Sequence, residues 1–146
     1  MMQEQSPFRN FGQVGIVVKD IEKTIKNLSE IGIGQFGPLK AEPTVKWEEK
    51  GKPTEIRLKM RFVNIGPLEI ELIEPVSECM QKKYLDTHGE GIHHIAFFVK
   101  DINEEVKRMV ARGYKVVQRG WRPTSGGYAF FNTQESCGFM LEIIQR

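Results

Sequence analysis

The chain has 146 residues, 40% hydrophobic, 27% charged and 10% aromatic, with a formal net charge of +2. That length suits one domain or two small halves sharing a core, and so small a charge excludes neither half from a soluble fold while giving no reason to expect a nucleic-acid or membrane partner. No window reaches the roughly 18 apolar residues needed to cross a bilayer, and "MMQEQSPFRN" lacks the apolar stretch of a leader.

In chain order, residues 1–10 read as a flexible tail. Two cysteines, Cys79 and Cys137, have no metal-type spacing and read as reduced thiols, which points to the cytoplasm. "QVGIVVKDIEKTIKNLSEIGI" then gives an apolar strand from Gln13, a Lys-Asp turn and an amphipathic helix. Ile21, Ile25 and Leu28 fall at i, i+4 and i+7, and a glycine closes the segment. Asp20 is placed to cap the helix, its carboxylate accepting an orphan backbone N–H. Residues 36–54, polar and rich in Pro and Gly, read as a long loop. "EIRLKMRFVNIG" alternates as a half-buried strand, and "LEIELIEP" follows as another.

A connector, residues 77–91, carries Lys82 and Lys83 in a short helix. The opening pattern then returns: "HIAFFVKDINEEVKRMVARGY" begins at His94, 81 residues after Gln13, and aligns without a gap. Val18 falls on Val99, Asp20 on Asp101, Ile25 on Val106 and Gly32 on Gly113. "YKVVQRG" and "GGYAFFNT" supply two strands, and "FMLEIIQR" repeats the closing strand of the first half, with Glu142 matching Glu71. The expected architecture is α+β, with βαβββ twice over: module one at 11–76 and module two at 92–146. Basic groups such as Lys107-Arg108, Arg119 and Arg122 read as solvated surface or as the rim of an anion site.

The repeat selects the functional candidates. Adjacent strand residues face opposite sides, so one member of the His93-His94 pair points at a shared site and the other points away. His94 aligns with a polar side chain, Gln13, whereas His93 aligns with Gly12, so His94 is the site residue and His93 is assigned to the outer face. Packed about a pseudo-twofold axis, the modules bring Gln13, Glu71, His94 and Glu142 together. One imidazole, one amide oxygen and two carboxylates suit a divalent transition metal, with Co, Ni, Zn or Mn as candidates. Each residue also has a plainer reading: a satisfied core histidine, a surface glutamine, a solvated strand edge at Glu69, Glu71 and Glu74.

"VGIVVKDIEKTI", "IELIEP", "HGEGIHHIAFFVKDI" and "GFMLEI" resemble the vicinal oxygen chelate superfamily of glyoxalases, bleomycin resistance proteins and dioxygenases. Within it, methylmalonyl-CoA epimerases and glyoxalase I-like proteins are most alike. The resemblance spans residues 11–146 and implies a cupped mixed sheet around a divalent metal, in a homodimer. It places metal ligands at Gln13, where a histidine is common, and at Glu71, His94 and Glu142. It also implies Glu142 and Glu71 as the proton-transfer pair. The implied activity is isomerisation through an enolate, first of all epimerisation of methylmalonyl-CoA, with an acyl-CoA thioester as substrate. A lactoylglutathione lyase of the glyoxalase I kind is the alternative, since a Gln/Glu/His/Glu set resembles one class of that enzyme. A drug-sequestering binder is the third reading, in which Trp47, Trp121, Tyr128, Phe130 and Phe131 line an apolar cup. Otherwise these aromatics are core or interface residues.

Overall fold

The structure is a computed structural model that describes residues 8–41 and 45–146. The elements run β1 (Asn10–Val17), α1 (Ile21–Glu30), β2 (Lys46–Glu49), β3 (Lys52–Pro53), β4 (Leu58–Ile65), β5 (Leu68–Pro75), α2 (Met80–His88), β6 (Gly91–Phe98), α3 (Ile102–Ala111), β7 (Val116–Trp121), β8 (Gly127–Phe131), α4 (Gln134–Cys137) and β9 (Met140–Gln145). All the strands join one open, cupped sheet in the order β3-β2-β7-β8-β9-β6-β1-β5-β4, an α+β fold. The flexible tail expected for residues 1–10 lies largely outside the described residues. Of its last members, Asn10 opens β1 and Phe8 packs on Phe97.

The two modules meet at the antiparallel β1–β6 pair, whose register places Gln13 opposite Ala96 and Gly15 opposite His94. Exchanging each residue for its repeat partner turns the first of these pairs into the second, as a twofold axis through Val14 and Ile95 demands. The parallel pairs obey the same relation, Gly15 beside Glu71 in β1–β5 and Ala96 beside Glu142 in β6–β9. Even the helix starts repeat. Asp20 accepts from the Lys23 N–H and Asp101 from the Glu104 N–H. Glu74 accepts the Ile21 N–H at 3.0 Å, and Gln145 accepts the Ile102 N–H at 2.9 Å.

Strand alternation then divides the side chains between two faces. On the convex face α1 packs with Ile21 against Val18, Phe36, Val63 and Leu72, and α3 packs Ile102 and Met109 against Ala129, Phe131, Leu141 and Ile143. The intervening residues of the same strands, Glu69, Glu71 and Ile73 in β5 and Glu142 and Ile144 in β9, line the concave face. The aromatics divide likewise: Phe131 is in the α3 core, while Trp47, Tyr128 and Phe130 line the cup.

The first module departs from the second most visibly between its helix and β4. Residues 36–54 are not simply a loop. Apart from 42–44, which lie outside the described residues, they include the β2–β3 hairpin, which crosses to the far side and pairs with β7. Beside β4 the segment leaves an isolated bridge, Lys40–Met60, and a Gly37 N–H bond to the Phe62 carbonyl at 2.7 Å. The hairpin turns at Lys50 and Gly51, both at positive φ (52° and 77°), as a two-residue type I′ turn requires. Lysine seldom takes that conformation, so the turn carries no Asn-Gly or Asp-Gly signature.

Candidate active site

The floor of the cup is the β1–β6 seam. There Gln13, Glu71, His94 and Glu142 are 4%, 8%, 0% and 4% exposed. His94 Nε2 lies 3.1 Å from Gln13 Oε1, 3.3 Å from Glu71 Oε1 and 3.2 Å from Glu142 Oε1. The four residues singled out by the repeat therefore converge on one point. Glu71 is no solvated edge residue, because β5 runs inside the sheet between β1 and β4.

Each side chain is held there by its neighbours. Gln13 donates its amide Nε2–H to Glu69 Oε1 at 2.8 Å, which turns its own oxygen toward His94. Glu69 is a residue that the sequence reading did not select, though its i, i+2 relation to Glu71 places both on one face. His94 reaches the seam by crossing over Gly15: a Cβ there would fall within the imidazole ring. Phe130 packs edge-on against the same ring at 5.1 Å. Complete burial pushes the His94 pKa down to about 3, so the ring is neutral and brings no positive charge to the carboxylates beside it.

His93 does not face away. The register passes from Gly15–His94 directly to Ile16–Ile92, so a bulge at His93 breaks the alternation on which the outer-face assignment rested. Its ring is buried among Tyr84, Phe130 and His94, and its Nδ1 lies 3.1 Å from His94 Nδ1. Both histidines thus belong to one unit.

Above this floor opens a cavity of about 280 Å³. Met60, Ile73, Phe130 and Ile144 give it an apolar wall, and Lys40, Arg122 and Arg146 add positive charge. Arg122 donates to the Tyr128 hydroxyl from Nε at 3.1 Å and from a terminal nitrogen at 2.7 Å.

The model of the glyoxalase/bleomycin resistance protein/dioxygenase superfamily matches residues 12–131. The chain belongs to this superfamily. A curated relative, the uncharacterized protein YqjC of Bacillus subtilis (strain 168), is 27% identical over 94 residues, covering 62% of this chain and 67% of its own. Among solved structures, methylmalonyl-CoA epimerase from Mycobacterium tuberculosis superposes with a TM-score of 0.72 at 20% identity, covering 99% of this chain and 92% of that one. The hypothetical protein BH1468 from Bacillus halodurans C-125 gives 0.72 at 25% identity, with 94% of each chain covered. A Streptomyces coelicolor methylmalonyl-CoA epimerase in complex with 2-nitronate-propionyl-CoA gives 0.71 at 18% identity, covering 94% and 97%. At these identities the likeness to the epimerases establishes the superfamily's fold.

Members of this superfamily commonly use a divalent metal, and the donor types gathered here suit one. Two donors about 2.1 Å from a common ion stand roughly 3.0–3.4 Å apart at octahedral or tetrahedral angles, which brackets the three separations at His94 Nε2. A neutral imidazole, an amide oxygen and two carboxylates also match the preferences of a borderline cation. Among the described residues no group of three or more His, Cys, Asp or Glu side chains is placed to hold a metal ion. The oxygens are gathered on His94 Nε2 instead.

Proposed function

We propose that the chain is a metal-dependent isomerase that moves a proton at the carbon α to a carbonyl, with epimerisation of methylmalonyl-CoA as its reaction. The observation that carries this reading is the convergence of Gln13, Glu71 and Glu142 oxygens on His94 Nε2 within 3.1–3.3 Å. In it Gln13, Glu71, His94 and Glu142 hold the ion. When bound, a divalent cation polarises a carbonyl and stabilises the charge that develops as the α-proton leaves.

The remaining work falls to the chain. Epimerisation takes a proton from one side of a carbon and returns one to the other. Glu71 and Glu142 suit that need, since each comes from a different module and the pseudo-twofold relates them. A carboxylate within reach of the α-carbon acts as the base, and its counterpart in the acid form returns the proton. Met60, Ile73 and Ile144 exclude water from the acyl group, while Lys40, Arg122 and Arg146 favour an anionic substrate. Fixing the thioester and carboxylate in one orientation removes part of the entropic barrier. The same reading places the protein in the cytoplasm as a homodimer.

A glyoxalase I-like lyase would use the same donors, and Gln13 favours it, since a Gln/Glu/His/Glu set resembles one class of that enzyme. A drug-sequestering binder is less well supported, because its cup floor would hold no buried pair of carboxylates and imidazole. The deciding experiment follows α-proton exchange by NMR in heavy water, with methylmalonyl-CoA and a methylglyoxal–thiol adduct side by side. Exchange of methylmalonyl-CoA alone supports the epimerase reading; turnover of the adduct alone transfers the assignment to the lyase. Exchange of neither, by metal-loaded protein, refutes both.

A further inference from the structure

We propose that His93 and His94 share a single proton between their Nδ1 atoms, making His93 the positioning residue that sets which tautomer His94 presents to the cup. This inference deepens the metal-site reading and rests on it for its second half only.

The argument starts from the Nδ1–Nδ1 separation of 3.1 Å between two buried rings. Two ring nitrogens lie so close only when one carries a hydrogen and the other a lone pair; two N–H groups or two lone pairs repel. Both rings are buried, and with one hydrogen between the two Nδ1 atoms a pair of uncharged rings has one further N–H to place. Two arrangements satisfy the pair. In the first, His93 donates from Nδ1 and His94 carries its hydrogen on Nε2, 3.1 Å from the Gln13 amide oxygen and 3.3 and 3.2 Å from the Glu71 and Glu142 oxygens. In the second, His94 donates from Nδ1, His93 accepts and carries its own hydrogen on Nε2, and the His94 Nε2 lone pair faces the cup.

Without a cation the first arrangement is favoured, because Gln13, whose amide nitrogen is already given to Glu69, turns to His94 Nε2 an oxygen that can only accept. With a cation only the second can supply a ligand. Occupancy of the site therefore exchanges the tautomers of both rings and changes the charge of neither. His93 is fixed for this task by the bulge and by the Tyr84 ring, packed edge-on at 4.9 Å, whose hydroxyl donates to the Ile92 carbonyl at 3.1 Å. The first module has Gly12 at the equivalent place and orients its own polar group, Gln13, through Glu69.

The test is long-range proton–nitrogen NMR on full-length protein labelled with nitrogen-15 in histidine, first stripped by chelator and dialysed, then titrated with Zn²⁺. Expected without zinc are His94 protonated at Nε2 and His93 at Nδ1; expected with zinc is the exchange of both. His93→Leu should weaken zinc binding about 10- to 100-fold, the usual cost of losing an outer partner of a ligating histidine. His93→Gln, whose amide oxygen can accept from His94, should recover most of that loss. If zinc fails to bind wild-type protein, the metal reading falls, and the stripped spectrum still decides the shared proton. Both rings protonated at Nε2 in stripped protein, or a His93 tautomer unmoved while His94 binds zinc, would overturn the inference.

Discussion

Gly15 lies across the β1–β6 pair from His94, and the space that a Cβ would take at Gly15 is filled by the His94 imidazole. The seam between the modules is thus open at one position so that a bulky ring can lie over backbone. Its repeat partner is Ala96, which is fully buried and carries the methyl group that Gly15 must lack.

Gly15→Ala should therefore displace His94 rather than merely stiffen the strand. A buried overpacking of this kind costs about 1–3 kcal/mol, to be read from denaturant unfolding. Zinc affinity should fall at least tenfold in protein that remains folded at the assay temperature. Ala96→Gly, the matched control, should cost about 0.5–1 kcal/mol and leave zinc binding unchanged.

Glu142→Gln keeps an oxygen donor and removes a base. Proton exchange should fall on the order of 100- to 10,000-fold, the usual contribution of a positioned acid–base group. Metal content, measured by atomic emission on the same sample, should fall far less. Glu71→Gln should behave likewise, because the two glutamates are related by the pseudo-twofold. Equal losses of metal and exchange would make them ligands only.

Glu69 contributes by turning an amide. Glu69→Leu frees the Gln13 amide to present its nitrogen to the site, and zinc affinity should drop roughly 10- to 100-fold, as for other outer partners of ligands. Gln13→His should bind zinc within about tenfold of wild type, since imidazole is a good ligand for the same ions. Gln13→Leu should not.

Much of this arrangement was legible in the sequence because it is local and repeated. The Lys-Asp turn, the helix stripe and the closing Glu-apolar-Ile pattern each recur, so a gap-free alignment set Gln13 on His94, and the separately matched closing strands set Glu71 on Glu142. The register pairs of β1, β5, β6 and β9 follow from it. What escaped notice depends on a break in regularity. Parity misplaced His93 because a bulge adds one residue to β6, and nothing in "GIHHIAFF" marks it. The β2–β3 hairpin hid in a polar stretch because its turn uses lysine at positive φ and its partner β7 lies about 70 residues away, as Glu49 and Gln118 show. Nothing in the sequence around Gly15 marks the His94 ring that lies over it.

A homodimer is the assembly expected for this protein. Light scattering at micromolar concentration should return twice the 16.8 kDa of one chain. A single-chain mass would count against it.

The central claim is that the cup floor holds a metal which the proton chemistry requires. The most direct measurement is α-proton exchange of methylmalonyl-CoA in heavy water, followed by NMR on one preparation before chelation, after chelation and after reconstitution with Co²⁺, Ni²⁺, Zn²⁺ or Mn²⁺. The account predicts exchange that is lost with the metal and restored by at least one of these ions at about one per chain. Undiminished exchange by fully stripped protein, or no ion bound after reconstitution, would contradict it.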